Sequence, residues 1–288
     1  MKSRLEWQSK AVLLLVLPYV GLNLAMQTRW WWTQAAPVAI WTLALSLLLG
    51  AVTLKLRAAT LGAAIAGFAI TASLMFSTGT FPHLPWHTAL TPVLAVALLT
   101  HFATRLGRGY KEELGLAEPK RGRNAAQIVA NLGAAALASS ELAQAGLLSL
   151  CPLARGVQHP GLVYAVGLAA LAEAAADTVS SEIGQVLGGT PRMITTLHVA
   201  KPGTDGAISL MGSVAGTAAA LVIAGLGTWA LRGDLMLFAA ACGGGVFGLF
   251  FDSLLGATVE RRGWLNNDAV NFLSTGAAAA FTAALLLM

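Results

Sequence analysis

Apolar positions along the chain fall into nine runs, about 8–26, 34–54, 58–77, 87–104, 124–140, 161–183, 207–230, 234–256 and 270–288. Each is close to the ~17–25 residues that carry a helix across a bilayer. The pattern predicts an all-α, polytopic transmembrane bundle forming one domain over 1–288. The first four runs hold little that is polar beyond Ser, Thr and an occasional Asn, so 1–104 reads as an apolar scaffold. The later runs, within 105–288, are interrupted. Glu173 and Asp177 sit in GLAALAEAAADTVSSEIG, and Asp252 sits in GGGVFGLFFDSLLG. Asn124, Gln127 and Asn131 stripe the fifth run, and Asn267, Asp268 and Asn271 open the last. A charge at bilayer depth costs several kcal/mol, so it normally faces a polar cavity and marks a working site.

Composition agrees with the pattern. With 288 residues, 56% hydrophobic and 11% charged, and a mean hydropathy of +0.70, this is no ordinary soluble globule. Under strict alternation of the runs, 15 of the 18 Lys and Arg fall on one side, leaving Arg29, Arg155 and Arg232 on the other. The positive-inside rule then puts the N-terminus in the cytoplasm and the C-terminus outside. The basic loops serve topology, and no nucleic-acid module is visible. The first run lacks a small-residue cleavage site and reads as a retained helix. Cys151 and Cys242 read as packed thiols, Trp30 to Trp32 as an interfacial belt, and Gly243–Gly245 with Gly248 as a close-packing face. In this orientation Asp177 and Asp252 lie in the cytoplasmic third of the membrane. Asn124, Gln127, Asn131 and Asn271 lie in the first turns of their helices, at similar depth.

Glu173 and Asp177 are four apart, on one helix face, with Ser180 extending it. Two like charges so close repel unless a cation or proton sits between them. Oxygen-only ligands beside a cytoplasmic opening suit Mg²⁺, which keeps waters and bridges phosphates. Glu182 lies about half a turn round and is a further metal candidate. Asp252 offers another ligand or a general base. The segment Lys201, Gly203, Thr204, Asp205, Gly206 runs into the seventh helix, whose free N–H groups would seat phosphate; a plain turn with an Asp cap is the alternative. Lys120, Arg121 and Arg123 precede the fifth helix and fit either a lipid phosphate or a topology signal. Asn124, Asn131, Asn267 and Asn271 are candidates to orient phosphate, water or metal. Together these describe a phosphate and divalent-metal site open to cytoplasm and lipid, as an enzyme acting on a lipid phosphate needs. A proton- or cation-coupled transporter is the rival, though the polar groups gather at one face and no inverted repeat is apparent. A lipid-binding scaffold without turnover fits the polar density least.

Four ordered motifs carry a resemblance over about 40–288: KRGRNAAQIVAN, EAAADTVSSEIG followed by PRMITT, GTDGAISLMGSVAG, and FDSLLGATVERRGWLNNDAVN. They resemble an integral-membrane family, long catalogued as a domain of unknown function, that includes the plant phytyl-phosphate kinase of the vitamin E pathway. The resemblance implies phosphorylation of isoprenyl monophosphates to diphosphates by a nucleoside triphosphate, CTP favoured. Asp177, Thr178, Ser181, Glu182, Ile183 and Gly184 also look like the Asp-containing segment of CTP-dependent polyprenol kinases, with Lys201 to Gly206 in place of their Lys-and-Gly loop. Val179 stands where the family usually has an aromatic residue, and Ala207 where it often has Gly. The expected location is a bacterial plasma membrane with the site facing the cytoplasm.

Overall fold

The computed structural model describes residues 5–118, 121–150 and 164–288. Lys2, Arg4, Lys120, Cys151 and Arg155, and the start of the sixth apolar run, lie outside them.

The first two apolar runs are joined in one helix, α1 (Glu6–Lys55), where the sequence pattern suggested a loop. The joining stretch MQTRWWWTQ contains neither Gly nor Pro, so nothing in it stops a helix. The break comes at Ala35 (φ −156°, ψ 79°), two residues before Pro37. That proline removes an N–H and crowds the carbonyl one turn back. The chain reverses direction there. Near its start, Gln8 donates to the Trp264 carbonyl (2.8 Å) and Ser9 to Asp268 (2.6 Å). Trp31 packs on Phe81 and His83 at the far end, and Gly50 returns against Ala64. The two legs therefore cross in opposite senses, as two helices would.

After α1 come α2 (Leu61–Ser77), α3 (Leu90–Arg105), the short α4 (Arg108–Glu113), α5 (Ala125–Ala138), α6 (Glu141–Leu150) and α7 (Tyr164–Leu187). A two-stranded antiparallel hairpin follows, β1 (Arg192–Met193) with β2 (Ala207–Ile208), pairing Arg192 with Ile208. The chain ends in α8 (Leu210–Ala230), α9 (Leu235–Leu255), a π-helical turn (Gly256–Glu260) and α10 (Asn267–Leu287). The short α4 and α6 and the hairpin lie in segments that carried no membrane-length apolar run.

The centre of the bundle is α7, which packs against α3, α5, α8, α9 and α10. Its alanine-rich stretch from Ala165 to Ala176 is buried throughout. Alanine has the highest helix propensity, and its small side chain lets several neighbours approach closely. Glycines on α9 complete the fit: a Cβ at Gly245 would lie 2.7 Å from that of Ala172, and one at Gly248 would collide with Glu173. The glycine run thus serves packing. Among the described residues four helices, namely α1, α8, α9 with its π turn, and α10, are long and apolar enough to cross a membrane; α2, α3 and α5 are shorter apolar helices. The 24-residue α7 carries three carboxylates, shielded by the surrounding helices.

Candidate functional site

Three of the expected carboxylates converge. Glu173 and Asp177 project from successive turns of α7, and Asp252 from the last turn of α9; the three interact electrostatically. Glu173 is 1% exposed, and among the described residues neither of its carboxylate oxygens has a partner at hydrogen-bond distance, although the Ser274 hydroxyl stands near enough to interact with it. Asp252 accepts a hydrogen bond from buried Ser274 of α10 (3.0 Å). Burying a charge without pairing it is costly enough that such an oxygen signals a missing partner. Ion pairs among the described residues are limited to Arg108–Glu112 and Lys111–Glu182, so none of their cations neutralises this cluster at contact.

The cluster extends outward through Glu260 of the fourth motif, part of the acidic and amide wall that follows Asp252 in sequence. Glu260, the last residue of the π turn, interacts with Asp177 and Asp205. The Lys201–Gly206 loop is docked on that turn. Gly206 has φ +74°, and a Cβ there would collide with the backbone of Ala257, while one at Gly256 would lie 2.7 Å from the Gly206 nitrogen. The loop does not run straight into a helix, as expected from sequence. β2 intervenes, and Ser209 caps α8 by accepting from the Gly212 N–H (3.2 Å). A side-chain cap outcompetes an empty N-terminus, so any phosphate held here would rest on Lys201 and the loop backbone. Lys201, Gly203 and Asp205 are exposed, and Thr204 is half-buried.

On the opposite flank stands Arg123. Its backbone is fixed by two hydrogen bonds across the α1–α2 turn, its N–H to Ala58 and its carbonyl from the Thr60 N–H (both 2.9 Å). Its guanidinium donates to Thr178 (3.4 Å) and interacts with Asp177. Arg123 also lines a cavity of about 170 Å³ between α1, α2, α3 and α5, which reaches Ala174 beside Glu173. The other candidates play different parts. Glu182 interacts with Asp177 but is bonded to Lys111 (2.5 Å), which is wholly buried and also donates to the Ala103 and Thr104 carbonyls at the end of α3. Asn124 forms a reciprocal capping box with Gln127 at the start of α5. The spacing Asn-x-x-Gln before an apolar run is the signal for that role. Asn131 donates to the Gln127 carbonyl and lines the cavity. Asn267 and Arg121 are exposed, and Asn271 lends its carbonyl to Ser274 and Thr275.

No three His, Cys, Asp or Glu side chains among the described residues stand close enough to cage a metal ion. Mg²⁺ needs no such cage: one or two carboxylates plus water and phosphate oxygens suffice. The unbonded oxygens of Glu173 and the all-oxygen donor set fit that requirement.

A model of the integral membrane protein family DUF92 matches residues 44–279. The chain belongs to this family. The DUF92 assignment agrees with the resemblance carried by the four motifs. An uncharacterized membrane protein of Methanocaldococcus jannaschii is 44% identical over 108 residues, 38% of this chain and 45% of that protein. An uncharacterized membrane protein of Synechocystis is 32% identical over 189 residues, 64% of this chain and 68% of that one. The chloroplastic protein VTE6 of Arabidopsis thaliana is 29% identical over 185 residues, 63% of this chain and 54% of VTE6. The matches thus span about half the length of two of these relatives. No solved structure matches the chain.

Proposed function

We propose that this DUF92 protein is a membrane-embedded kinase that converts an isoprenyl monophosphate into the diphosphate. The donor is a nucleoside triphosphate, CTP favoured, and the substrates are of the phytyl, farnesyl and geranylgeranyl class. The observation that carries the reading is the buried, unbonded carboxylate of Glu173, flanked by Asp177 and Asp252. It lies between a docked Lys-Gly loop and a cavity edged by Arg123. Family membership, and the family's likeness to the plant phytyl-phosphate kinase, support it.

In this mechanism Arg123 holds the acceptor phosphate beside Asp177 and offsets its charge. A phosphate monoester has its second pKa near ~6, so it is largely ionised at neutral pH and no strong general base is required. Its oxygen forms a bond to the γ-phosphorus of the donor as the bond to the β-phosphate bridge breaks, releasing the nucleoside diphosphate. Lys201, with backbone groups of Gly203, Thr204 and Gly206, steadies the donor phosphates. One or two of Asp177, Glu173 and Asp252, with water and phosphate oxygens, would hold Mg²⁺, which would supply charge neutralisation on the transferred group. Phosphoryl transfer depends mainly on such positioning. The excess of Lys and Arg in the loops at this end of the bundle favours a cytoplasmic site, where nucleotide is available.

The test offers the purified protein each isoprenyl monophosphate with Mg²⁺ and CTP, ATP, GTP or UTP, and follows diphosphate formation. Asp177→Asn is expected to abolish transfer while the protein still inserts and elutes as folded. Wild-type turnover by that variant removes the metal role, and no turnover with any pair favours a cation-coupled transporter.

A further inference from the structure

The cavity beside Arg123 has four arginines at its mouth: Arg57 from the α1–α2 turn, Arg105 and Arg108 from the end of α3 and the start of α4, and Arg123 itself. Among the described residues Glu118 is the one carboxylate on the lining, which leaves a net of three positive charges with His101 counted as neutral. Among the described residues Arg57 and Arg105 have no ion-pair partner, while Arg108 is already bonded to Glu112 (3.0 Å). Away from the mouth the walls are mainly apolar, with Gly67 on α2, Val93 and Val96 on α3, and Leu132 on α5, interrupted by Thr71, Thr100 and Asn131. A Cβ at Gly67 would meet nothing within 4 Å, so the space in front of it belongs to the cavity.

A cationic mouth over an apolar slot complements one kind of molecule: a phosphate monoester on a single apolar chain. Arginine suits such a head, because its planar fork matches phosphate oxygens and stays charged. Size decides how much of the chain enters. The cavity holds about 170 Å³, and an apolar cavity of ~150 Å³ takes little more than one benzene ring. There is room for roughly one five-carbon isoprene unit, and none for the glycerol and twin chains of a bilayer phospholipid.

We infer that this cavity is the acceptor-lipid subsite, and that it reads the phosphate head and the first isoprene unit while the rest of the tail stays in the bilayer. The inference rests on the kinase reading for its place in the reaction, but binding without nucleotide tests it alone. The enzyme accordingly discriminates phosphate from alcohol and single-chain from two-chain lipids, and is indifferent to tail length beyond the first unit.

The experiment measures equilibrium binding of radiolabelled geranyl, farnesyl and geranylgeranyl monophosphate to the full chain in nanodiscs, with no nucleotide present. Farnesol, inorganic phosphate and dipalmitoyl phosphatidic acid serve as competitors. Arg57→Gln and Arg105→Gln, both at exposed positions, are each expected to weaken all three ligands about tenfold, the loss of one charge-assisted hydrogen bond. Gly67→Leu, which fills the slot, is expected to weaken the three equally, and none of the competitors displaces them at matched concentration. Displacement by phosphatidic acid makes the cavity a seat for bulk lipid and overturns the inference; displacement by inorganic phosphate makes it a plain anion site. A Gly67→Leu effect confined to the longest tail, or unaltered binding in both arginine variants, overturns it as well. Binding as expected, with no diphosphate formed from any nucleotide, upholds the subsite and sinks the kinase reading.

Discussion

Lys111→Met is the most informative perturbation of this fold. The methionine keeps most of the side chain's volume and removes its charge. In the structure the ammonium is wholly buried and holds three acceptors: the Glu182 carboxylate at 2.5 Å, and the Ala103 and Thr104 carbonyls at 2.9 and 3.3 Å. It thus caps the end of α3 and ties α4 to α7. Removing one partner of a buried pair leaves the other uncompensated, at a cost of about 3–5 kcal/mol. The stranded Ala103 carbonyl regains little, because Ala103 is itself buried. On the soluble-protein scale of ~2–4 °C per kcal/mol, melting should fall by roughly 6–20 °C. Glu182→Gln should cost less, since an amide still accepts from Lys111. Lys111→Met with Glu182→Leu should recover much of the loss, because replacing both charges by apolar groups avoids the stranded ion. The assay is thermal unfolding in detergent at one scan rate, with transfer activity measured on the folded fraction. The reasoning fails if Lys111→Met melts like the parent. It also fails if Glu182→Gln leaves melting unchanged while abolishing transfer, which would return Glu182 to the chemistry.

Two glycines give further tests. Gly206→Ala forces an alanine into φ +74° and into the backbone of Ala257; KM for the nucleotide should rise about tenfold or more through misplacement of the loop, with lipid binding unaltered. Gly189→Ala, at φ +64° with open space around it, pays only the conformational cost of about 1–2 kcal/mol and should leave that KM alone. Gly248→Ala drives a methyl into Glu173 and to 2.8 Å of Ala278, so melting should drop by the ~1–3 kcal/mol of overpacking. Gly243→Ala meets nothing within 4 Å and should be neutral or mildly stabilising.

The membrane bundle and the core of the site were legible because charge and apolar length are local signals. Glu173, Asp177 and Asp252 declare themselves by standing in runs that ought to hold no carboxylate. What stayed hidden needed a partner. Lys111 looked like one more basic loop residue, and its bond to Glu182 spans 71 positions, a pairing no periodicity carries. Asn124 was readable as a cap from Gln127 three residues on, yet its proximity to basic residues drew it toward phosphate. The joining of the first two runs followed from what was missing, since only Pro37 bends a stretch with no other breaker. The 1–104 scaffold also proved less passive than its composition suggested: its α1–α2 turn supplies Arg57 and holds Arg123 in place.

The docking of Gly206 on the π turn has a mechanical consequence. With glycine on both sides of the contact, nothing larger than the Ala257 methyl stands between the two segments to act as a cushion. The loop cannot swing as an independent flap. Force applied at Lys201 passes into the turn, and through it to the last coil of α9 that carries Asp252. The donor seat and the carboxylate wall are therefore geared together as one moving part, whose stiffness is set by that close contact.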